Sequence, residues 1–347
     1  MHAAAPGENA YAALYNPDNM AKARSTDAKL ERLKTLRDAA PSPEVASELR
    51  KTIGDSSNHV IAAAAALIAR FHFSELAAEL ASAFDGLMVD PIKTDKTCAG
   101  KTAIVDALNE LDFQEPDVFL AGARHIQMEP AWGGARDTAA SLRAGCAIAL
   151  VRIGHRESLP VLVDLLADSE RVVRLAAAQA LAGSGTTAAL LLLRLKARLG
   201  DKEADVTGEC LTGLMRLEPQ ESAPFVAEFL ESGDSSVAEA ALLALGNSRR
   251  PEAFEILKTF WERRLRIDLR ETALVAMALL RLPAATDFLL SLLADAPESS
   301  ALSALSALAV LNYDPRVREQ TAAAVEKRDS EALRNAFMKM SQDRTKP

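Results

Sequence analysis

Apolar positions in this chain recur at the spacing of a helix face, not of a strand. In residues 159–166 (LPVLVDLL), 223–230 (APFVAEFL), 254–261 (FEILKTFW) and 286–293 (TDFLLSLL) they fall at i, i+3, i+4 and i+7, one stripe of an α-helix. Each stretch is followed by a second, alanine-rich helical pattern. Residues 168–183 (DSERVVRLAAAQALAG) and 234–246 (DSSVAEAALLALG) share an opening Asp-Ser, an early Val and a closing Ala-Leu. Residues 138–150, 269–279 and 300–308 vary the same theme.

The leucines that close these segments give the period. Leu67, Leu108, Leu150, Leu181, Leu214, Leu245, Leu279 and Leu308 are separated by 41, 42, 31, 33, 31, 34 and 29 residues. The predicted unit is therefore helix, tight turn, helix, repeated about eight times. Its Asp-Ser pairs are suited to capping helix starts, and Pro160, Pro224 and Pro251 are expected near helix starts, where a missing N–H matters least. One such pair cannot bury its own stripe; stacked pairs bury it against their neighbours.

Composition sharpens this picture. Sixty-seven alanines and 49 leucines make up one third of the 347 residues, and aromatics only 5%, which argues against a strand-rich fold. The net charge of −8 works against binding nucleic acid or an anionic membrane unless basic residues are segregated on one face. The longest apolar run, 60–69, is too short to span a bilayer. No secretory signal is read at the start, and Cys98, Cys146 and Cys210 read as separate buried thiols of a reducing compartment. A cytoplasmic protein is the resulting expectation.

The pattern resembles HEAT repeats of the short bacterial, lyase-like type, over about residues 43–325. The best match runs from Leu162 through Asp168, Val173 and Arg174 to Leu181. The resemblance implies an all-α, right-handed α-solenoid in which Asp168 faces a turn and Arg174 bonds across to a neighbouring repeat. It implies scaffolding more than any particular chemistry. Asp234 lacks the matching arginine, and the repeat at Ser300 lacks both charges.

Residues 1–26 are read as a flexible tail, 27–340 as a single solenoid with a capping helix over 27–38, and 341–347 as a frayed end. Two insertions interrupt the array. Residues 86–101 (GLMVDPIKTDKTCAGK) are read as a lysine-bearing loop, and 127–137 (QMEPAWGGARD) carry Trp132 and Arg136. Long loops on a rigid scaffold concentrate function.

No catalytic constellation stands out. His2, His59, His72, His125 and His155 include no His-Glu pair and no i, i+4 pair, so no metal site is expected. Lys96 and Lys101 flank Cys98 and are of the type that lowers a thiol pKa, but an ordinary thiol is the plainer reading. Arg249, Arg250, Lys258, Arg263, Arg264, Arg266 and Arg270 cluster around Trp261, interleaved with Glu252, Glu255, Glu262, Asp268 and Glu271, the composition of salt-bridged helix faces.

The expected function is a non-catalytic scaffold that needs no cofactor and binds a protein partner through its inner face and edge loops. Trp132, Arg136, Arg143, Arg263, Arg264, Arg266 and Arg270 are the candidate contacts, since Trp and Arg dominate interface energetics. The alternatives are a HEAT-like DNA-binding or DNA-repair glycosylase, or a subunit of a bilin-lyase-like enzyme.

Overall fold

A computed structural model describes residues 17–263 and 266–342, with side chains over 25–263 and 266–340. Among the described residues there are twenty α-helices and one two-stranded hairpin. The fold is an all-α array of paired, stacked helices. Contacts divide the chain into two compact units, parted between Ala176 and Ala177. In stacked repeats each pair touches mainly its neighbours.

The first unit opens with α1 (Pro17–Arg37), α2 (Pro43–Ile53) and α3 (Asn58–Arg70). The first of these starts at Pro17, whereas the charge pattern places a helix only from Asp27. Then come α4 (Ala77–Met88), the single turn α5 (Pro91–Thr94), α6 (Ala99–Glu110) and α7 (Asp117–Ala123). A hairpin of β1 (Met128–Ala131) and β2 (Gly134–Asp137) follows, and then α8 (Ala140–Arg152), α9 (Ser158–Leu166) and the start of α10 (Arg171–Ser184). The 86–101 insertion is thus largely helical rather than an open loop. Its backbone N–H groups are taken up by short-range bonds such as Thr94 N to Asp90 O and Cys98 N to Asp95 O.

The second unit holds α11 (Thr187–Leu199), α12 (Ala204–Leu217), α13 (Pro219–Glu228), α14 (Ser235–Asn247) and α15 (Pro251–Arg263). It continues with α16 (Arg270–Leu280), α17 (Pro283–Asp295), α18 (Glu298–Leu308), α19 (Pro315–Lys327) and α20 (Glu331–Gln342). Pro224 lies inside α13, not at its start, because Pro219 already opens that helix.

Within each unit the alanine-rich second helices lie directly on one another: α3 on α6 and α6 on α8, then α12 on α14, α14 on α16 and α16 on α18. Small residues permit this approach. A Cβ on Gly246 would lie 2.5 Å from the Ala276 carbonyl oxygen, and one on Gly208 2.7 Å from Ala240 Cβ. The first helices bury one stripe each, such as Val161, Leu162, Leu165 and Leu166 of α9 or Ala253, Phe254, Leu257, Phe260 and Trp261 of α15. Each large apolar side chain so buried stabilises by about 1.5–3 kcal/mol. Asp234 caps α14 by accepting from Ser236 N–H at 2.8 Å. Among the described residues no helix is long and apolar enough to cross a membrane.

Candidate functional site

In the first unit the structure brings the two insertions together around a buried polar cluster. The 95–98 turn has two successive left-handed residues, Thr97 (φ 66°) and Cys98 (φ 56°), a conformation that is strained without glycine. Asp95, fully buried, holds that turn. Its Oδ1 accepts from Asn58 Nδ2 at 2.9 Å and from Gly100 N–H at 2.8 Å. Its Oδ2 accepts from Lys101 N–H at 2.9 Å and lies 3.1 Å from the Lys101 ammonium, which is also fully buried.

The hairpin grips this turn. Gln127 Nε2 donates to Asp95 O at 2.8 Å and to Glu129 Oε1 at 2.6 Å. Glu129 Oε1 also accepts from Thr97 N–H at 2.6 Å and from Thr138 Oγ1 at 2.9 Å. Burial pushes the Glu129 pKa up, but the donors Gln127, Thr138 and Thr97 outweigh it and hold the carboxyl below its ordinary value.

Arg143 fastens the other side. Its Nε and Nη2 donate to the two oxygens of Asp168, at 2.8 and 3.0 Å, in a two-pronged pairing. Its Nη1 lies 2.8 Å from Asp137 Oδ2 and donates to His125 O at 2.9 Å. Asp137 Oδ1 accepts from Gln127 N–H and Ala139 N–H. Burial pushes the Asp137 pKa up, and these two N–H groups with Arg143 more than reverse it, leaving it lowered. Asp168 thus faces its turn and binds an arginine from the preceding repeat. Arg174 donates to the carbonyls of Asp168 and Ser169 at 2.9 and 2.8 Å, and Val173 is buried beside it.

Upon this base stands the hairpin itself, paired Met128↔Asp137, Glu129↔Arg136, Pro130↔Ala135 and Ala131↔Gly134. That register leaves Trp132 and Gly133 as the turn. Gly133 (φ 92°) and Gly134 (φ 147°) supply backbone angles other residues rarely adopt. Trp132 is fully exposed at the tip, with Arg136 exposed on β2 and Met128 and Ile126 half-exposed or more.

The remaining candidates are placed differently. Arg143 is only 2% exposed; it is an internal tie and not a contact residue, because its fork is filled by two carboxylates. Arg263 is exposed, 3.7 Å from Glu231, and Arg264 lies outside the described residues. Arg266 bonds Asp268, Ser235 and the Ser232 carbonyl. Arg270 donates to the Trp261 carbonyl and stacks 4.3 Å from that buried ring. Arg266 thus ties the α15–α16 connection to the start of α14, and Arg270 ties α16 to α15.

All three cysteines are free and buried. Cys98 is pushed up to about 12 by burial, which overrides the lowering by Lys101, so the flanking lysines do not activate it. Among the described residues no group of three or more His, Cys, Asp or Glu side chains is placed to hold a metal ion. Nothing in the sequence marks Asp95, Gln127 or Glu129, and Lys101 stands out only as a neighbour of Cys98; the adjacent glycines after Trp132 are the available sign of a hairpin.

A family model of HEAT repeats matches residues 134–195 and 192–278. No curated protein matches the chain. Among solved structures, the complex of CpcE and CpcF of phycocyanin lyase from Nostoc sp. PCC7120 is 21% identical, covering 77% of this chain and 94% of that one, with a TM-score of 0.38. Human deoxyhypusine hydroxylase in complex with glycerol is 18% identical over 74% and 91%, with a TM-score of 0.30. An engineered protein is 18% identical over 78% and 98%, with a TM-score of 0.25.

Proposed function

Residues 134–278 of this chain are HEAT repeats, and from that premise we propose that the protein is a non-catalytic scaffold that uses the 128–137 hairpin to bind a protein partner. The observation that carries the reading is Trp132. A large apolar ring held fully in water is unfavourable unless something covers it. The arm that holds it out is not loose: Glu129, Gln127, Asp137 and Arg143 anchor its base through buried and half-buried hydrogen bonds. Binding through a pre-organised arm avoids the ordering entropy that a mobile loop would lose. Arg136 beside the ring adds a charge of the type that recurs in interface hot spots.

A nucleic-acid or glycosylase reading calls for an uncompensated basic stripe. Arg266 instead faces Asp268, and Arg263 lies near Glu231. Glu239 and Glu271 face solvent on α14 and α16. A bilin-lyase reading finds no observation of its own in this site.

The test is affinity capture of a partner by the full chain, wild type against Trp132→Ala, from cells that make the protein. Loss of a hot-spot tryptophan weakens binding by about 2 kcal/mol or more, roughly 30-fold. A partner held equally well by both forms would refute the reading.

A further inference from the structure

The second unit carries an apolar surface of its own. Helix α11 reads TAALLLLRLKARL. Ala189, Leu193 and Ala197 face the core. Leu191, Leu195 and Leu199, two positions along and so on the opposite side, are 62, 56 and 76% exposed. At 100° per residue, steps of four keep these three in one slowly drifting stripe about 12 Å long. The equivalent outer helices of the following repeats do not share it. Their solvent faces carry Gln220, Glu221 and Glu228 on α13, Glu252, Glu255 and Glu262 on α15, and Asp287, Ser291 and Asp295 on α17.

The charge beside the stripe is also distinctive. In an acidic chain, α11 has Arg194, Lys196 and Arg198 and no carboxylate, and exposed Lys202 follows. Lys196 pairs with Asp201 and Arg198 with Glu228. Arg194 stacks over the Phe225 ring at 4.0 Å. Glu228 also feels the charge of Arg194, so these four cations stand against two carboxylates, and among the described residues Lys202 forms no ion pair. The stripe is thus a leucine row edged by surplus positive charge.

We infer that this face of α11 docks an amphipathic helix of a partner protein, with leucine-type residues on its apolar side and glutamates or aspartates on its flanks. Three leucines over one face are well short of the roughly 800 Å² per partner of a stable interface between globular proteins, and in a second copy the same cations would face each other. A short helical segment meets both conditions: its apolar side covers the leucines and its acids neutralise Arg194 and Lys202. The inference rests on the reading of the protein as a scaffold but uses a surface separate from the Trp132 hairpin.

Two fluorescein-labelled peptides of about five helical turns, with the same leucine face and either glutamate or lysine flanks, provide the probe. Anisotropy titrations with the full chain should show the glutamate peptide binding at least about tenfold tighter than the lysine peptide, and weakening as salt rises. Leu195→Glu should weaken it by about tenfold or more, and Leu191→Ser, a gentler change, in the same direction. Both sites are solvent-facing, and circular dichroism checks that the helices persist. Arg194→Glu with Lys202→Glu should invert the peptide preference, whereas Trp132→Ala should leave peptide binding unchanged. Equal binding of the two peptides, no binding of either, or indifference to Leu195→Glu would overturn the inference. So would self-association in sedimentation that Leu195→Glu abolishes, or displacement of the peptide by phosphatidylserine vesicles.

Discussion

Replacing Arg143 with methionine tests the anchoring of the hairpin arm. The substitution keeps most of the side chain's bulk but removes the guanidinium shared by Asp137 and Asp168. Both carboxylates stay in a pocket where the arginine is 3% exposed and they are 6 and 11% exposed. Removing one partner of a buried ion pair typically costs about 3–5 kcal/mol, a large share of the roughly 5–15 kcal/mol that holds a domain folded. The exposed pair Arg124–Glu157, with side chains 61 and 41% exposed, provides the internal control: Arg124→Ala should cost less than about 1 kcal/mol. Urea unfolding followed by circular dichroism reads both changes. Hydrogen exchange at the Thr138 amide, which donates to Gln127 O at 2.9 Å, reports whether the hairpin base opens first. A loss at Arg143→Met no greater than at Arg124→Ala, with Thr138 exchange unaltered, would refute the anchoring argument.

Glycines separate close packing from helix propensity. Gly246→Ala should lower the melting temperature by an amount equivalent to about 1–3 kcal/mol, since its methyl meets the Ala276 backbone. Gly86→Ala in α4, with nothing within 4 Å, should raise it by the equivalent of about 0.5–1 kcal/mol; calorimetry that found the same sign for both would contradict this packing. Cys98 and Cys210, each pushed up to about 12 by burial, and Cys146, raised by burial as well, should resist iodoacetamide at pH 8 and react once urea unfolds the chain. Labelling of the native protein at the rate of a free thiol would count against their burial. Glu129, Asp137 and Asp55 are all lowered in the fold, so their contribution is present above the ordinary carboxylate pKa near 4 and is lost as pH falls through the lowered values. Asp106, raised by burial and by Glu110, acts in the opposite direction. The urea midpoint should therefore fall between pH 5 and pH 3, and a midpoint that rose would show Asp106 outweighing the other three.

The repeat array was legible because its signal is local. The apolar stripe of α9 and the alanine run of α10 lie within a few turns of each other in sequence, and the Asp234 cap acts over two residues. The candidate site was legible only in part. Trp132 stood out by residue type, and the glycines that turn the chain are its neighbours. Arg143 looked like a surface charge because its partners lie elsewhere, Asp168 in the next turn of the array and Asp137 at the far end of a hairpin. The Asp95–Lys101 pair was read as part of a lysine-bearing loop because nothing in sequence shows that the Asn58 and Gln127 amides close over it. Leucines 190–193 hid the exposed face of α11. In an unbroken leucine run the buried and the solvent-facing positions look alike, and only the fold separates Leu193 from Leu191.

The most direct test of the scaffold reading is a photo-crosslinking residue in place of Trp132, irradiated in cells that make the protein, beside the same residue in place of Tyr313, an exposed aromatic in the other unit. A discrete adduct to one protein from position 132 and not from position 313 is the expected result. No adduct at 132, or the same set of adducts from both positions, would contradict it.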